Sequence, residues 1–95
     1  MYDVVEASYV DGYKIEVTFE NGRQGIVDFK GYVEKGGVFS RFSEMEYFKD
    51  FYINKELGVL CWQDDVDIAP EALYHAATGE PLPEWMGKNG NLKAV

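Results

Sequence analysis

Hydrophobic and polar positions alternate most regularly in "YKIEVTFE", where Tyr13, Ile15, Val17 and Phe19 are separated by Lys14, Glu16, Thr18 and Glu20. A period of two puts the apolar set on one face and the charged set on the other, which predicts a half-buried strand. Residues Val4 to Val10 read as a strand before it. Asp11-Gly12 between the two has the composition of a two-residue hairpin turn, in which both central positions take positive φ. Asn21-Gly22 predicts a second turn, and Ile26, Val27 and Phe29 a third strand, so the chain opens as a three-stranded antiparallel meander.

The pattern then changes. Gly31, Gly36 and Gly37 in "KGYVEKGGV" predict a loop, and their spacing matches neither a dinucleotide-binding nor a P-loop phosphate cradle. Ser43 followed by Glu46 has the form of a capping box, which predicts a short helix from Glu44 to about Asp50. Met45 with Phe48, and Tyr47 with Phe51, lie at helical spacing and give that helix a wide apolar arc suited to packing on a sheet. "FYINKELGVLCW" reads as strand, turn, strand, with Asn54 to Gly58 as the connection. Leu60 and Trp62 then share one face, and Val59 and Cys61 the other. Asp64-Asp65 falls where the next hairpin turn belongs, with Val66 and Ile68 pointing one way and Asp67 the opposite way.

Pro70 suits the first turn of a helix, Glu71 favours the positive end of its dipole, and Gly79 stops "PEALYHAAT". Pro81 and Pro83 imply an extended segment ending at Trp85, and the polar, glycine-rich residues 87–95 read as a tail. The pattern therefore predicts one α+β domain over residues 1–86. It has a small antiparallel sheet, built from the N-terminal meander plus a C-terminal hairpin, and two short helices.

Composition agrees with a folded chain. Of 95 residues 46% are hydrophobic and 16% aromatic, too many for a disordered segment and too few residues in all for two cores. Seventeen acidic against nine basic residues give a formal charge of −8, which disfavours direct nucleic-acid binding and speeds encounter with a basic protein partner. The single cysteine, Cys61, cannot form an internal disulfide and belongs to no zinc-type cluster, in keeping with a reducing cytoplasm. "MYDVVEASYV" carries neither a basic n-region nor an apolar run long enough for export or membrane insertion.

Candidate chemistry is confined to a few residues. Asp64, Asp65 and Asp67 lack the spaced ligand ladder and closing glutamate of a calcium loop, and a glycosidase-like carboxylate pair needs a larger cleft than a chain of this length offers. Cys61 and His75 are the one possible thiol–imidazole pair, without an evident third orienting group. Trp62, mid-strand beside Leu60, reads as core. Trp85 is the better interface anchor, lying either over the sheet or against a partner.

Three blocks, "VTFENG" at Val17 to Gly22 with Asp28 in the next strand, "VFSRFSEMEYFKDF" at Val38 to Phe51, and "VLCWQDDVDIAPEALY" at Val59 to Tyr74, occur in an order that resembles a known family. It is the domain of unknown function 2442 family of small, mostly bacterial proteins. The last block is the most specific, with Trp62, Asp67, Pro70, Leu73 and Tyr74 at the family's spacing. The resemblance implies a compact α+β domain with an antiparallel sheet and no established catalytic residue or cofactor. Many members are encoded beside another small protein in a toxin–antitoxin-like arrangement. Some carry an added helix-turn-helix domain, for which this chain has no room.

Two positions depart from the family. Asp64-Asp65 stands where Asn-Gly is usual, and Ala69 where an aspartate usually precedes the proline, a lost helix cap worth about 1 kcal/mol. Asp67 is the candidate to bond backbone at the helix entry instead. The expected function is a non-enzymatic interaction module with no cofactor, presenting an acidic face or an exposed edge strand to a protein partner such as the adjacent gene's product, or to a second copy. Trp62, Asp67, Pro70, Tyr74 and Trp85 are its candidate structural and interaction residues. The alternative is a small metal-binding protein or enzyme using the Asp64–Asp67 turn or Cys61 with His75.

Overall fold

The alternation of Ile15, Val17 and Phe19 becomes the inner face of a central strand, in which all three are fully buried. The computed structural model describes residues 2–81. The expected boundary at residue 86, the tail and Trp85 lie outside the described residues. Strands β1 (Val4–Asp11), β2 (Lys14–Phe19) and β3 (Gln24–Asp28) form an antiparallel meander in the order β1-β2-β3.

The first turn sits one residue later than its composition suggests. Asp11 pairs with Lys14, so Gly12 and Tyr13 are the central residues, and only Gly12 has positive φ, at 50°. The ladder shifts register between Tyr9 and Asp11, leaving Val10 as a bulge that absorbs the slip. Tyr9 therefore keeps its place opposite Ile15, on the core side. At the second turn the amide of Gly22 donates to the Phe19 carbonyl at 2.9 Å and Gly22 alone is left-handed, giving a three-residue connection over 20–22.

The glycine-rich stretch read as a loop is instead helix α1 (Lys30–Lys35) followed by a 3-10 segment (Gly37–Ser43). Asp28 Oδ1 accepts the Lys30 amide at 2.9 Å and covers a donor that the helix start leaves open. Tyr32 is buried against Phe29 and Phe39, with ring centroids 5.8 and 4.9 Å away. This packing outweighs the poor helix propensity of exposed Gly31. Gly36 and Gly37 do break the helix, both at positive φ (75° and 63°). The 3-10 segment then delivers Phe39 and Phe42 to the core.

Helix α2 (Met45–Lys49) is shorter than predicted, and the capping box is not formed. Ser43 ends the 3-10 segment, and its hydroxyl donates backward to the Ser40 carbonyl at 2.9 Å, which leaves Glu44 at the N-cap without a side-chain cap. The apolar arc does pack inward. Phe48 is fully buried and Tyr47 nearly so, while Met45 and Phe51 are partly buried against the same core.

A second antiparallel sheet, in the order β4-β5-β6, is made by β4 (Tyr52–Asn54), β5 (Val59–Trp62) and β6 (Val66–Ile68). The predicted meander and C-terminal hairpin thus form an α+β fold with two three-stranded sheets. The Val4 amide joins them, donating to the Gly58 carbonyl at 2.8 Å. All four residues of β5 are buried, with Leu60 and Trp62 in the common core cluster. The Trp62 indole N–H donates to the Phe48 carbonyl at 2.8 Å, and its rings meet Phe42 and Phe29 at 4.6 and 5.6 Å.

Helix α3 (Pro70–Thr78) closes the structure, with Pro70 in its first turn and left-handed Gly79 ending it through a bond to the His75 carbonyl at 2.8 Å. It packs chiefly on β3, and Gly25 is the reason it can. A methyl group there would lie 2.1 Å from the Ala77 carbonyl oxygen, a backbone atom that cannot swing aside. Gly25→Ala should push α3 off the sheet and cost about 1–3 kcal/mol, as other overpacked contacts do. A urea unfolding curve measures this loss, and an unchanged midpoint would contradict the close approach.

Candidate functional site

The acidic turn is structural in its geometry. Gln63 to Asp65 connect β5 to β6, and Asp64 and Asp65 hold φ of 65° and 60°. Aspartate enters this left-handed region more readily than most residues because its short side chain bonds locally. Two neighbours brace the turn: Arg41 pairs with Asp64, and the Tyr47 hydroxyl donates to the Gln63 carbonyl at 2.7 Å. The Arg41 guanidinium also lies 4.1 Å from the Tyr47 ring centroid. The Asp64 side chain is 73% exposed, so the ion pair itself contributes about 0–1 kcal/mol, and the stack and the carbonyl bond carry the rest.

Asp67 lies apart from that pair. It faces Cys61 in the β5–β6 ladder, and Cys61 in turn faces Tyr52 in β4, so the three form a row across the sheet. Leu60, Trp62, Val66 and Ile68 alternate with this row and face the core. Burial, and after it the Asp67 carboxylate, push the Cys61 thiol above its ordinary value of 9.0. Partial desolvation against the sheet raises the Tyr52 phenol, although the residue is exposed, with Cys61, Asp65 and Asp67 adding to it. A thiol held in its neutral form is the reverse of an activated nucleophile.

Nor does the fold bring Cys61 to His75. The thiol makes a weak contact with the Val59 carbonyl at 3.8 Å, whereas His75 Nδ1, in the last turn of α3, meets the Glu80 carbonyl. Among the described residues no three His, Cys, Asp or Glu side chains converge as metal ligands would. No described helix is long and apolar enough to cross a membrane.

The other marked residues hold elements together. Trp62 links β5 to α2 through the Phe48 carbonyl. Tyr74 stacks on Tyr2 with centroids 4.0 Å apart, meets Phe19 edge-on at 5.0 Å, and its hydroxyl accepts from Asn21 at 3.0 Å. Helix α3 is thereby tied to the β2–β3 turn. Ala69 stands at the N-cap without a side-chain bond, and its carbonyl accepts the Ala72 and Leu73 amides at 3.0 and 3.2 Å.

Among the described residues, the outer edge of β3 offers unsatisfied bonding capacity. The Phe19 amide bonds the Arg23 carbonyl at 2.9 Å, and the Phe29 amide bonds the Tyr13 carbonyl at 2.8 Å. These fix the parity of the ladder. Gly25 and Val27 bond inward to β2, and the amides and carbonyls of Gln24, Ile26 and Asp28 point away from it. Among the described residues none of these outward backbone groups has a hydrogen-bond partner. Ile26, in the middle, is 51% exposed. The pattern carried a sign of the exposed isoleucine, since adjacent Ile26 and Val27 cannot both face one core in a strand, but not of the edge.

The model of a family described as protein of unknown function (DUF2442) matches residues 4–79. The chain belongs to that family. The match spans every strand and helix described above and ends at Gly79, the left-handed residue that stops α3. No curated protein and no solved structure matches the chain. Within the matched residues, Trp62, Leu73 and Tyr74 are buried and Pro70 starts α3, while Asp67 faces Cys61 away from the core.

Two outcomes follow from this geometry. Asp65→Gly, by relieving one left-handed aspartate, should raise stability by up to about 1 kcal/mol in urea unfolding; a loss would mean the carboxylate itself is needed. Because the folded thiol titrates above its unfolded value, its contribution to stability is complete below the unfolded value and declines as pH rises through the folded one. Cys61 in the native protein should therefore resist iodoacetamide at pH 8 and react once unfolded, and Cys61→Ala should flatten the alkaline fall in stability. Rapid native alkylation would overturn the assignment.

Proposed function

We propose that the chain is a non-enzymatic protein-interaction module, the antitoxin-like member of a pair encoded by adjacent bacterial genes and acting in a reducing cytoplasm. The observation that carries this reading is the edge of β3, where backbone donors and acceptors of Gln24, Ile26 and Asp28 have no partner among the described residues and stand beside an exposed isoleucine. Exposed strand edges are templates for pairing with another chain. The charge of −8 supports it further, because a basic partner is steered toward an acidic one at long range. Family membership adds the gene arrangement that the resemblance implies.

The candidate chemical residues among the described ones have other contacts. Asp64 is paired with Arg41, the Cys61 thiol is held neutral, and His75 is turned to the Glu80 carbonyl. Co-expression of the full chain with the tagged product of the adjacent gene should give a complex that co-elutes in size exclusion and dissociates more readily at high salt. Expression of the neighbour alone should slow growth, and co-expression should restore it. Failure to co-elute removes the pairing, and unimpaired growth with the neighbour alone removes its toxin-like half.

A further inference from the structure

Four strands lie at sheet edges, and three of them are blunted. β1 is bent by bulges at Val5 and Val10, carries Glu6 and Asp11, and is tied at Val4 to Gly58. β4 and β6 have three residues each. Bulges, charges and shortness are the devices that keep edges from pairing with other chains. β3 lacks all but one of them. Its five residues run in unbroken register with β2, and its only charged residue is Asp28 at the end.

Beside that edge lies a cleft of about 230 Å³ between β3, α1 and α3, lined by Val27, Asp28, Gly31, Tyr32, Lys35 and Ala76. Four of its six lining residues are small or apolar (a glycine, an alanine, a valine and the Tyr32 ring), and the other two, Asp28 and Lys35, are charged, with the Lys35 ammonium 6.0 Å from that ring's centroid. The cleft continues the inner side of the sheet beyond the last strand, so there is a floor where an added strand would need one.

Resting on the interaction-module reading, we propose that β3 accepts an extended peptide segment of a partner protein as a fourth strand, with an apolar side chain of valine to leucine size seated in the cleft. Backbone geometry restricts the occupant. The outward groups of Gln24, Ile26 and Asp28 recur every second residue, about 7 Å apart, a spacing that another extended backbone matches and a helix does not. Side chains of the added strand alternate. Those level with Gln24, Ile26 and Asp28 lie on the outer face, and the one level with Val27 points inward over Gly31 and Ala76. On the outer face the segment meets Ile26, with Glu16 beside it in the ladder, and then the Asp28 carboxylate. An apolar residue opposite Ile26 and a basic one opposite Asp28 complement this row.

The test uses the full chain, labelled with nitrogen-15, and the synthetic peptide acetyl-Thr-Lys-Val-Val-Ala-Thr-Lys-amide, which has this alternation when antiparallel to β3. Saturable shifts are expected at Gln24, Ile26, Asp28, Gly31 and Ala76. The same peptide N-methylated at the residue level with Ile26 should lose them. Ile26→Pro removes an amide that bonds nothing within the described protein and should weaken binding about tenfold or more. Should that variant fold poorly, Ala76→Trp, at an exposed helix position, fills the cleft and should weaken binding similarly. Absent shifts, shifts mapped to the second sheet, or undiminished binding in the folded variants would overturn the proposal. A complex with the adjacent gene product that survives both variants removes this site and leaves the pairing intact. Peptide binding without such a complex keeps the site and removes that partner.

Discussion

The bond from the Trp62 indole N–H to the Phe48 carbonyl, inside the ring cluster of Phe29, Phe42 and Phe48, is the contact on which the other elements depend. It joins the central strand of the second sheet to α2, and through Phe29 it reaches the junction of β3 and α1. A fully buried indole without that acceptor would carry a desolvation cost of about 1–3 kcal/mol. Helix α2 has five residues and no side-chain cap, so its own hydrogen bonds cannot hold it. Burial of Phe48 and Tyr47 beneath Trp62 stabilises it instead.

That arrangement explains why residues suggestive of chemistry do structural work. The acidic turn follows Trp62 directly, so its placement is set by how deeply the indole is buried. Once there, Asp64 meets Arg41 from the 3-10 segment, and the Gln63 carbonyl meets Tyr47 from α2. Asp67 falls on the other face of the sheet, in line with Cys61 and Tyr52. Among the described residues the three aspartates do not converge, since Asp64 is turned to Arg41 while Asp65 and Asp67 both act on the Cys61 and Tyr52 side.

The open edge of β3 has a cause in the same packing. Gly25 lets the α3 backbone come close under the strand, and the small side chain of Ala76 leaves room at its flank. Helix α1 begins two residues after β3 ends and stands on the other side of the cleft. Two helices thus shape a floor beside β3 without covering the edge. The cleft beside β3 is what two small residues leave unfilled.

Much of the framework was legible from pattern. The buried face of β2, the Asp64-Asp65 turn, the helix from Pro70 to Gly79 and the inward position of Trp62 follow from periodicity and from Gly and Pro chemistry, which act over a few residues. The misplaced features involve competition with distant partners. Gly31 sits in a helix because Tyr32 is buried against Phe39, and Ser43 fails as a cap because the 3-10 segment claims its hydroxyl. The first hairpin slips by a residue because a bulge at Val10 keeps Tyr9 on the core. The sequence by itself determined which strands and turns exist and which residues are apolar enough to be buried, because those depend on local backbone geometry. Tertiary structure alone decided which edge stays open, what lies beside it and whether the carboxylates and the thiol meet, because each depends on the distance between segments far apart in the chain.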